Sequence, residues 1–145
     1  MILNIYTGVI NGTPFFAAQN EECRSYTIKS SQIKGRVGRE LECVFEALTR
    51  FKKGKSKECI IYVQTTVVLD MIHDPLLYDK SRHYITIEHI HRVIGTIIEK
   101  GKKIEIYKHN ITELPKSLIT QATKKTKNAN RPKNTKEQNR KKRKL

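Results

Sequence analysis

Residues 39–64 read RELECVFEALTRFKKGKSKECIIYVQ and predict, in order, a helix, a polar break and a buried strand. The break spans residues 52–57, and the apolar run 59–63 is typical of a strand that is covered on both faces. Glu40 opens the predicted helix and Gln64 ends the strand, so the chemistry at these two positions decides whether the chain is an enzyme. The buried face of the helix repeats every three or four residues, and its members are Leu41, Val44, Phe45, Leu48 and Phe51.

The chain before this stretch predicts three strands joined by tight turns. Apolar and polar side chains alternate over Ile2–Thr7, Thr13–Gln19 and Cys23–Ser30. Asn11-Gly12 is a strong signal for a two-residue hairpin turn between the first two strands. Strands that are joined by hairpins pair antiparallel, so we expect an antiparallel meander.

Two helices are predicted after Gln64. Thr65–His73 favours a short helix, although its valines leave an extension of the preceding strand open. A loop follows over Asp74–His83, and a second helix spans Thr86–Lys100 with Thr86 as its N-cap. The predicted core face of this helix is formed by isoleucines, namely Ile87, Ile90, Ile94, Ile97 and Ile98.

A last strand and a last helix complete the predicted domain. Lys102–Tyr107 alternates as a strand, and Thr112–Thr123 predicts a helix that begins at an N-cap, Thr112, and carries Pro115 in its first turn. The side chains expected to face the core are Leu114, Leu118 and Ile119. This order of elements predicts an α/β fold with a mixed five-stranded sheet and helices on both faces.

The basic charge of the chain is concentrated at its C-terminal end. The 145 residues carry a formal net charge of +15, of which +10 lies in residues 124–145. That segment has no aromatic residue and almost no aliphatic one, so we expect a domain over 1–123 and a disordered tail over 124–145. Such a tail binds polyanions, and its cationic residues are Lys124, Lys125, Lys127, Arg131, Lys133, Lys136, Arg140, Lys141, Lys142, Arg143 and Lys144.

The cysteines and the N-terminus point to an intracellular protein. Cys23, Cys43 and Cys59 lack the spacing of a zinc site and predict reduced, buried thiols. No apolar run is long enough for a membrane span, and the N-terminus lacks a signal-peptide pattern. We expect a cytoplasmic protein, or a nuclear one in a eukaryotic host. The composition fits the AT-rich genomes of many phages, viruses and low-GC bacteria.

A resemblance to a known family rests on IYT at 5–7, REL at 39–41, EAL at 46–48 and YVQTTVV at 62–68. Over about residues 1–123, the chain resembles the ribonuclease H family. In active members of that family, four carboxylates hold two magnesium ions that hydrolyse a phosphodiester. By this resemblance, the positions of the four carboxylates correspond to Gly8, Glu40, Gln64 and Lys116 in this chain. Only Glu40 is an acid, so three of the four metal ligands are missing. The resemblance therefore implies a catalytically inactive member without metal or other cofactor.

Two alternatives stay open at this point. A nuclease could assemble a rearranged site from Glu40, Asp70 and another acid, for which Asp74 and Glu113 are available. Against this, we expect Asp70 to face solvent and Glu40 or Glu113 to favour a helix N-terminus. A protein-interaction module whose tail only localises it is the other alternative. His109, near a product-release histidine of active relatives, is expected to be a solvent-exposed loop residue.

A second basic cluster precedes the first predicted helix. It consists of Lys29, Lys34, Arg36 and Arg39, with no acid between them, and it predicts a surface that contacts phosphates. We expect the tail and this cluster to bind nucleic acid, with RNA or an RNA-containing duplex favoured over DNA by the resemblance alone. No aromatic platform for single strands is evident, because the tyrosines and phenylalanines are expected mostly in strand cores.

Overall fold

A computed structural model describes residues 1–22, 24–33, 35–109, 114–116, 118–121 and 123. The strands are β1 (Ile2–Ile10), β2 (Thr13–Asn20), β3 (Ser25–Ser30), β4 (Glu58–Val63) and β5 (Lys103–Lys108). The helices are α1 (Arg36–Lys53), α2 (Thr66–His73), a short 3-10 helix (Pro75–Tyr78) and α3 (Tyr84–Glu99). Residues 116, 118–121 and 123 are helical as well. The predictions for Cys23, Lys34, Thr112, Glu113 and the tail 124–145 lie outside the described residues.

The strands form one mixed sheet in the order β3-β2-β1-β4-β5. β1 pairs antiparallel with β2, and β2 with β3, which confirms the predicted meander. β1 and β4 are parallel, as are β4 and β5. The hairpin turn is also confirmed, because Asn11 and Gly12 have φ angles of 52° and 75° between the paired residues Ile10 and Thr13.

Helices cover both faces of the sheet. The main core joins α1, α2 and α3 to one face, and its largest fully buried side chains include Phe16, Phe51 and Ile61. A second core, Tyr6, Phe15, Ala17 and Leu118, joins the C-terminal helical residues to the other face. The predicted mixed sheet with flanking helices is therefore confirmed.

The helix boundaries and faces differ from the prediction at several points. α1 begins at Arg36, so Glu40 lies in its second turn instead of at its N-terminus. α3 begins at Tyr84 after His83, and no side chain caps it, so the predicted N-cap Thr86 is wrong. Helix packing also shifts the buried faces. Val93 is buried where Ile98 was expected and Ile98 is 62% exposed, while Ile119 is 42% exposed.

A lysine closes the C-terminal end of α1. The buried Lys102 donates from Nζ to the carbonyl oxygens of Phe51 at 2.7 Å, Lys52 at 3.1 Å and Gly54 at 2.7 Å. The last carbonyls of a helix lack intrahelical partners and carry partial negative charge, so an ammonium group satisfies both needs. This contact ties α1 to the residue that precedes β5.

The remaining sequence predictions concern thiols and membrane spans. Cys43 and Cys59 are buried and free, and burial raises the pKa of Cys59 to about 12, so that thiol stays protonated. Within the described part of the chain, no helix combines the length and the apolarity that crossing a membrane requires.

Candidate functional site

The C-terminal half of β1, which continues to Ile10, and the end of β4 meet the second turn of α1 at a corner of the sheet. We call Thr7, Gly8, Glu40, Gln64 and Thr65 the strand-end corner. Gln64 follows β4, and its Oε1 accepts hydrogen bonds from the backbone nitrogen of Thr7 at 3.1 Å and from Thr7 Oγ1 at 3.0 Å. The Gln64 amide, which the resemblance predicted in place of a metal-binding carboxylate, is thus bonded to β1.

Both oxygens of the Glu40 carboxylate are hydrogen-bonded within the corner. Oε1 accepts from the backbone nitrogen of Gln64 at 2.9 Å, and Oε2 accepts from Thr65 Oγ1 at 2.6 Å. Thr65 Oγ1 also caps α2 by accepting from the nitrogen of Val68 at 3.3 Å. Glu40 is fully buried, and this burial raises the pKa of its carboxyl group, although the hydrogen bonds and nearby Arg36 oppose the shift. Glu40 therefore holds α1 to the junction of β4 and α2.

Phe15 and Leu114 occupy the space beside Gly8. A Cβ atom at Gly8 would lie 2.9 Å from Cε1 of Phe15 and 3.3 Å from Cδ1 of Leu114. Real Cβ atoms do not approach other atoms as closely as 2.9 Å, and Phe15 is only 1% exposed, so its ring cannot swing into solvent. The corner has no room for a larger side chain at this position.

The other acidic residues considered for a rearranged site are not gathered at the corner. Asp70 and Asp74 are exposed, as expected for Asp70, and Glu113 lies outside the described residues. Lys116 is exposed. Among the residues that the structure describes, no group of three or more His, Cys, Asp or Glu could hold a metal ion. The suggestion that Glu40 serves a helix N-terminus is wrong, because the first turn of α1 contains no acid.

His109 is buried, so the expectation of an exposed loop residue is wrong. It is 8% exposed and donates from Nε2 to the carbonyl oxygen of Ile5 at 3.0 Å. Its ring also lies 5.5 Å from that of Tyr6, centroid to centroid. Burial lowers the pKa of His109, which keeps the imidazole neutral, and Nε2 must carry the proton because a carbonyl only accepts.

The predicted basic cluster is divided by the fold. Lys29 pairs with Glu46 at 2.9 Å, so part of its charge is neutralised by α1. Arg39 is 6% exposed, and its Nη1 donates to the carbonyl oxygen of Ile33 at 3.5 Å. Arg36 is exposed at the first position of α1. Of the described members, Arg36 is the cation best placed to meet a phosphate.

Sequence reasoning missed two features that only the fold brings together. Arg82 approaches the start of α1, with Nη2 3.4 Å from the place that a Cβ would take at Gly35. Tyr62 and Tyr107 pair across β4 and β5 with ring centroids 6.0 Å apart, and Tyr107 is 47% exposed. The expectation that strand tyrosines lie in the core is wrong for Tyr107. The alternation of KIEIY offered a signal, since it puts Tyr107 opposite the buried Ile106.

Comparisons with known proteins identify the fold. Neither the family models nor the curated proteins contain a match to this sequence. A foamy viral protease-reverse transcriptase, solved in complex with an RNA/DNA hybrid, matches 85% of this chain with a TM-score of 0.51 and 12% identity. The match spans 18% of the viral chain.

Two ribonuclease H structures also match. The N-terminal RNase H domain of a Mycobacterium tuberculosis protein, solved as a fusion with maltose-binding protein, has a TM-score of 0.48 and 10% identity over 83% of this chain and 92% of its own. RNase H1 from the halophilic archaeon Halobacterium salinarum has a TM-score of 0.46 and 9% identity over 82% and 88%. The viral match and the order of the strands show that the chain has a ribonuclease H-like fold.

Proposed function

We propose that this chain is a nucleic-acid-binding protein whose ribonuclease H-like domain has no nuclease activity. The observation that carries the proposal is the Glu40 carboxylate, which is fully buried and hydrogen-bonded through both oxygens to Gln64 and Thr65. A magnesium ligand needs carboxylate oxygens that face the ion and its waters. Glu40 instead serves as an internal acceptor between α1 and β4.

The neighbouring positions support the same conclusion. Gly8 offers no side chain and has Phe15 against it, while Gln64 is neutral and bonded to Thr7. Two-metal hydrolysis requires several carboxylates around ions that lie close together, and a single buried one does not supply that charge. Lys116, where the resemblance expects the fourth carboxylate, carries a positive charge instead.

Phosphate contacts are the proposed source of affinity. In the domain we assign them to Lys29, Lys34 and Arg36, and we leave out Arg39 because it is buried. The 11 cationic residues of 124–145 supply most of the attraction. The RNA/DNA hybrid bound by the foamy viral protein supports RNA or an RNA-containing duplex as the partner. Such a partner fits a protein of the cytoplasm, or of the nucleus in a eukaryotic host.

A protein partner is the second candidate, favoured by a cavity beside the edge strand β5. The cavity has a volume of about 340 Å³ and is lined by apolar side chains that include Ile72, Ile94 and Ile104. His73 Nε2 donates to the carbonyl oxygen of Ile106 at 3.1 Å, which covers part of this edge. Under this alternative the tail only localises the protein, and neutralising the tail leaves partner binding intact.

The test compares the full chain with a variant of equal length in which the 11 tail lysines and arginines are glutamines. Labelled single-stranded RNA, duplex DNA and an RNA–DNA hybrid are titrated over a salt series with magnesium present, and the products are separated on a gel. We expect salt-dependent binding without cleavage, and a loss on the order of 100-fold in affinity at low salt for the variant. Equal binding by the two proteins, or no binding by either, would refute the role of the tail.

A further inference from the structure

Tyr62 and Tyr107 form an aromatic pair on the surface of the sheet. They are direct partners in the parallel register of β4 and β5, and their rings lie 6.0 Å apart at an interplanar angle of 37°. Tyr107 is 47% exposed and Tyr62 is partly exposed. We call these two side chains the tyrosine face.

The register of the sheet shows which side the tyrosine face occupies. Asn4 pairs with Tyr62, and side chains two residues apart in a strand point the same way, so Tyr6 shares this side of the sheet. Tyr6 packs with Phe15 and Leu118 under the C-terminal helical residues. That helical segment thus covers β1 and β2 on this side and reaches Ser25 of β3 through Gln121, away from the two tyrosines, which stay accessible.

The tyrosine face has no excess of positive charge, because its charged neighbours are two carboxylates, Glu105 and Glu58, and one ammonium group, Lys103. The hydroxyl of Tyr107 donates to Glu105 Oε2 at 2.9 Å, and Lys103 Nζ lies 4.0 Å from Glu58 Oε1. The bond to Glu105 raises the pKa of Tyr107, so its ring remains a neutral phenol at physiological pH. These two rings therefore do not attract phosphates. They can contact a ligand only through their flat aromatic surfaces.

The composition of the C-terminal segment supplies the missing charge. Leu118 fixes that segment on the side of the sheet that carries the tyrosine face, and 22 residues with 11 Lys and Arg follow Thr123. Gln121 contacts Ser25 of β3, so the segment leaves the sheet at the edge opposite the two rings. The 22 residues that follow, at up to about 3.3 Å each, are long enough for a polyanion held by their cations to reach the rings. Unpaired bases stack on aromatic side chains whatever their sequence, whereas the bases of a duplex are already stacked on one another.

We propose that Tyr62 and Tyr107 form a base-stacking site for single-stranded nucleic acid. This inference rests on the proposed function and narrows it to strands with unpaired bases. The tail contacts phosphates, and the tyrosine face contacts bases. The two contributions are separable because only the first depends strongly on salt.

The test uses Tyr107→Ala in the full chain, with Tyr84→Ala as the matched control. Tyr84 is a partly exposed tyrosine at the start of α3, which packs on the opposite side of the sheet. Tyr107→Phe keeps the ring and loses only the hydroxyl, and Tyr107→Leu keeps an apolar side chain in the strand should the alanine variant fail to fold. The probes are a short oligouridylate and an abasic strand of the same length, each titrated at several salt concentrations.

We expect Tyr107→Ala or Tyr107→Leu to bind the oligouridylate about tenfold more weakly, the loss of one stacked base. The slope of affinity against salt and the affinity for the abasic strand should not change, and Tyr107→Phe and Tyr84→Ala should match the wild type. Equal oligouridylate affinity of Tyr107→Ala and wild type would overturn the stacking site and leave the proposed function standing. No binding of the wild type to either probe would overturn both.

Discussion

The strand-end corner and the tyrosine face belong to the same sheet, yet their side chains are used in opposite ways. At the corner, the polar groups of Glu40, Gln64 and Thr7 satisfy one another, and Glu40 has no exposed surface. At the tyrosine face, the aromatic ring of Tyr107 is 47% exposed. Buried polar groups that are fully paired stabilise a fold, whereas exposed aromatic rings are available to a ligand. The difference supports a structural role for the corner and the proposed base-stacking role for the tyrosine face.

The largest expected effect is the loss of stability in Glu40→Ala. The substitution leaves the backbone nitrogen of Gln64 and the hydroxyl of Thr65 without their acceptor inside the protein. We expect the free energy of unfolding to fall by about 3 kcal/mol, as for two buried donors left unsatisfied. Urea denaturation measures it, and Glu46→Ala, which removes a partly exposed carboxylate of the same helix, is the control. A loss no larger than in the control would contradict a structural role for the corner.

A matched pair of glycine substitutions tests whether the corner is filled. Gly8→Ala places a methyl group against the buried ring of Phe15, so we expect a loss of about 1–3 kcal/mol from overpacking. Gly95→Ala introduces the same group in the exposed middle of α3, where nothing lies within 4 Å, and should gain up to about 1 kcal/mol. Thermal melts of both variants show whether each substitution lowers or raises the stability of the protein. A neutral or stabilising Gly8→Ala would mean that the position has room for a side chain.

The smallest change that we expect is a pH dependence of the free energy of unfolding that is caused by titration of Glu40. Burial raises the pKa of this carboxyl group in the folded protein, so the folded state holds its proton more tightly than the unfolded chain does. Stability contributed by Glu40 is therefore full below the unfolded pKa and is lost as the pH rises through the folded pKa.

The measurement compares wild type with Glu40→Gln, in which the titrating group is absent. Unfolding free energies from urea titrations are taken at a series of pH values from acid to neutral. The difference between the two proteins should move in favour of the wild type as the pH falls. The opposite slope would show that the hydrogen bonds and Arg36 lower the pKa of Glu40 more than burial raises it.

Sequence periodicity predicted the elements of this fold well because short-range patterns control them. The Asn11-Gly12 turn and the apolar repeat of α1 depend on neighbours within a few residues, and both are found in the structure. On α3, Val93 is buried, and Ile98 is exposed although the repeat predicted it in the core. Which residues a helix buries depends on how it packs against distant parts of the chain, here α1, and the local repeat does not encode that packing.

The strand-end corner could be predicted only in part. The residues Gly8, Glu40 and Gln64 are visible in the sequence, but the ring of Phe15 reaches Gly8 only because β1 pairs with β2 in one particular register. The burial of Arg39 follows in the same way from the earlier start of α1. Contacts between residues that are distant in sequence decide what the local pattern leaves open.

Under the proposed function, the domain binds nucleic acid without cutting it. The most direct measurement incubates the full chain with end-labelled RNA–DNA hybrid and single-stranded RNA in magnesium, beside Glu40→Gln, and follows the bound fraction and the product lengths together. For both proteins we expect that the bound fraction falls with salt and that the strands stay intact. Magnesium-dependent cleavage by the wild type that disappears in Glu40→Gln would contradict it, because Glu40 would then be a metal ligand and not an internal acceptor.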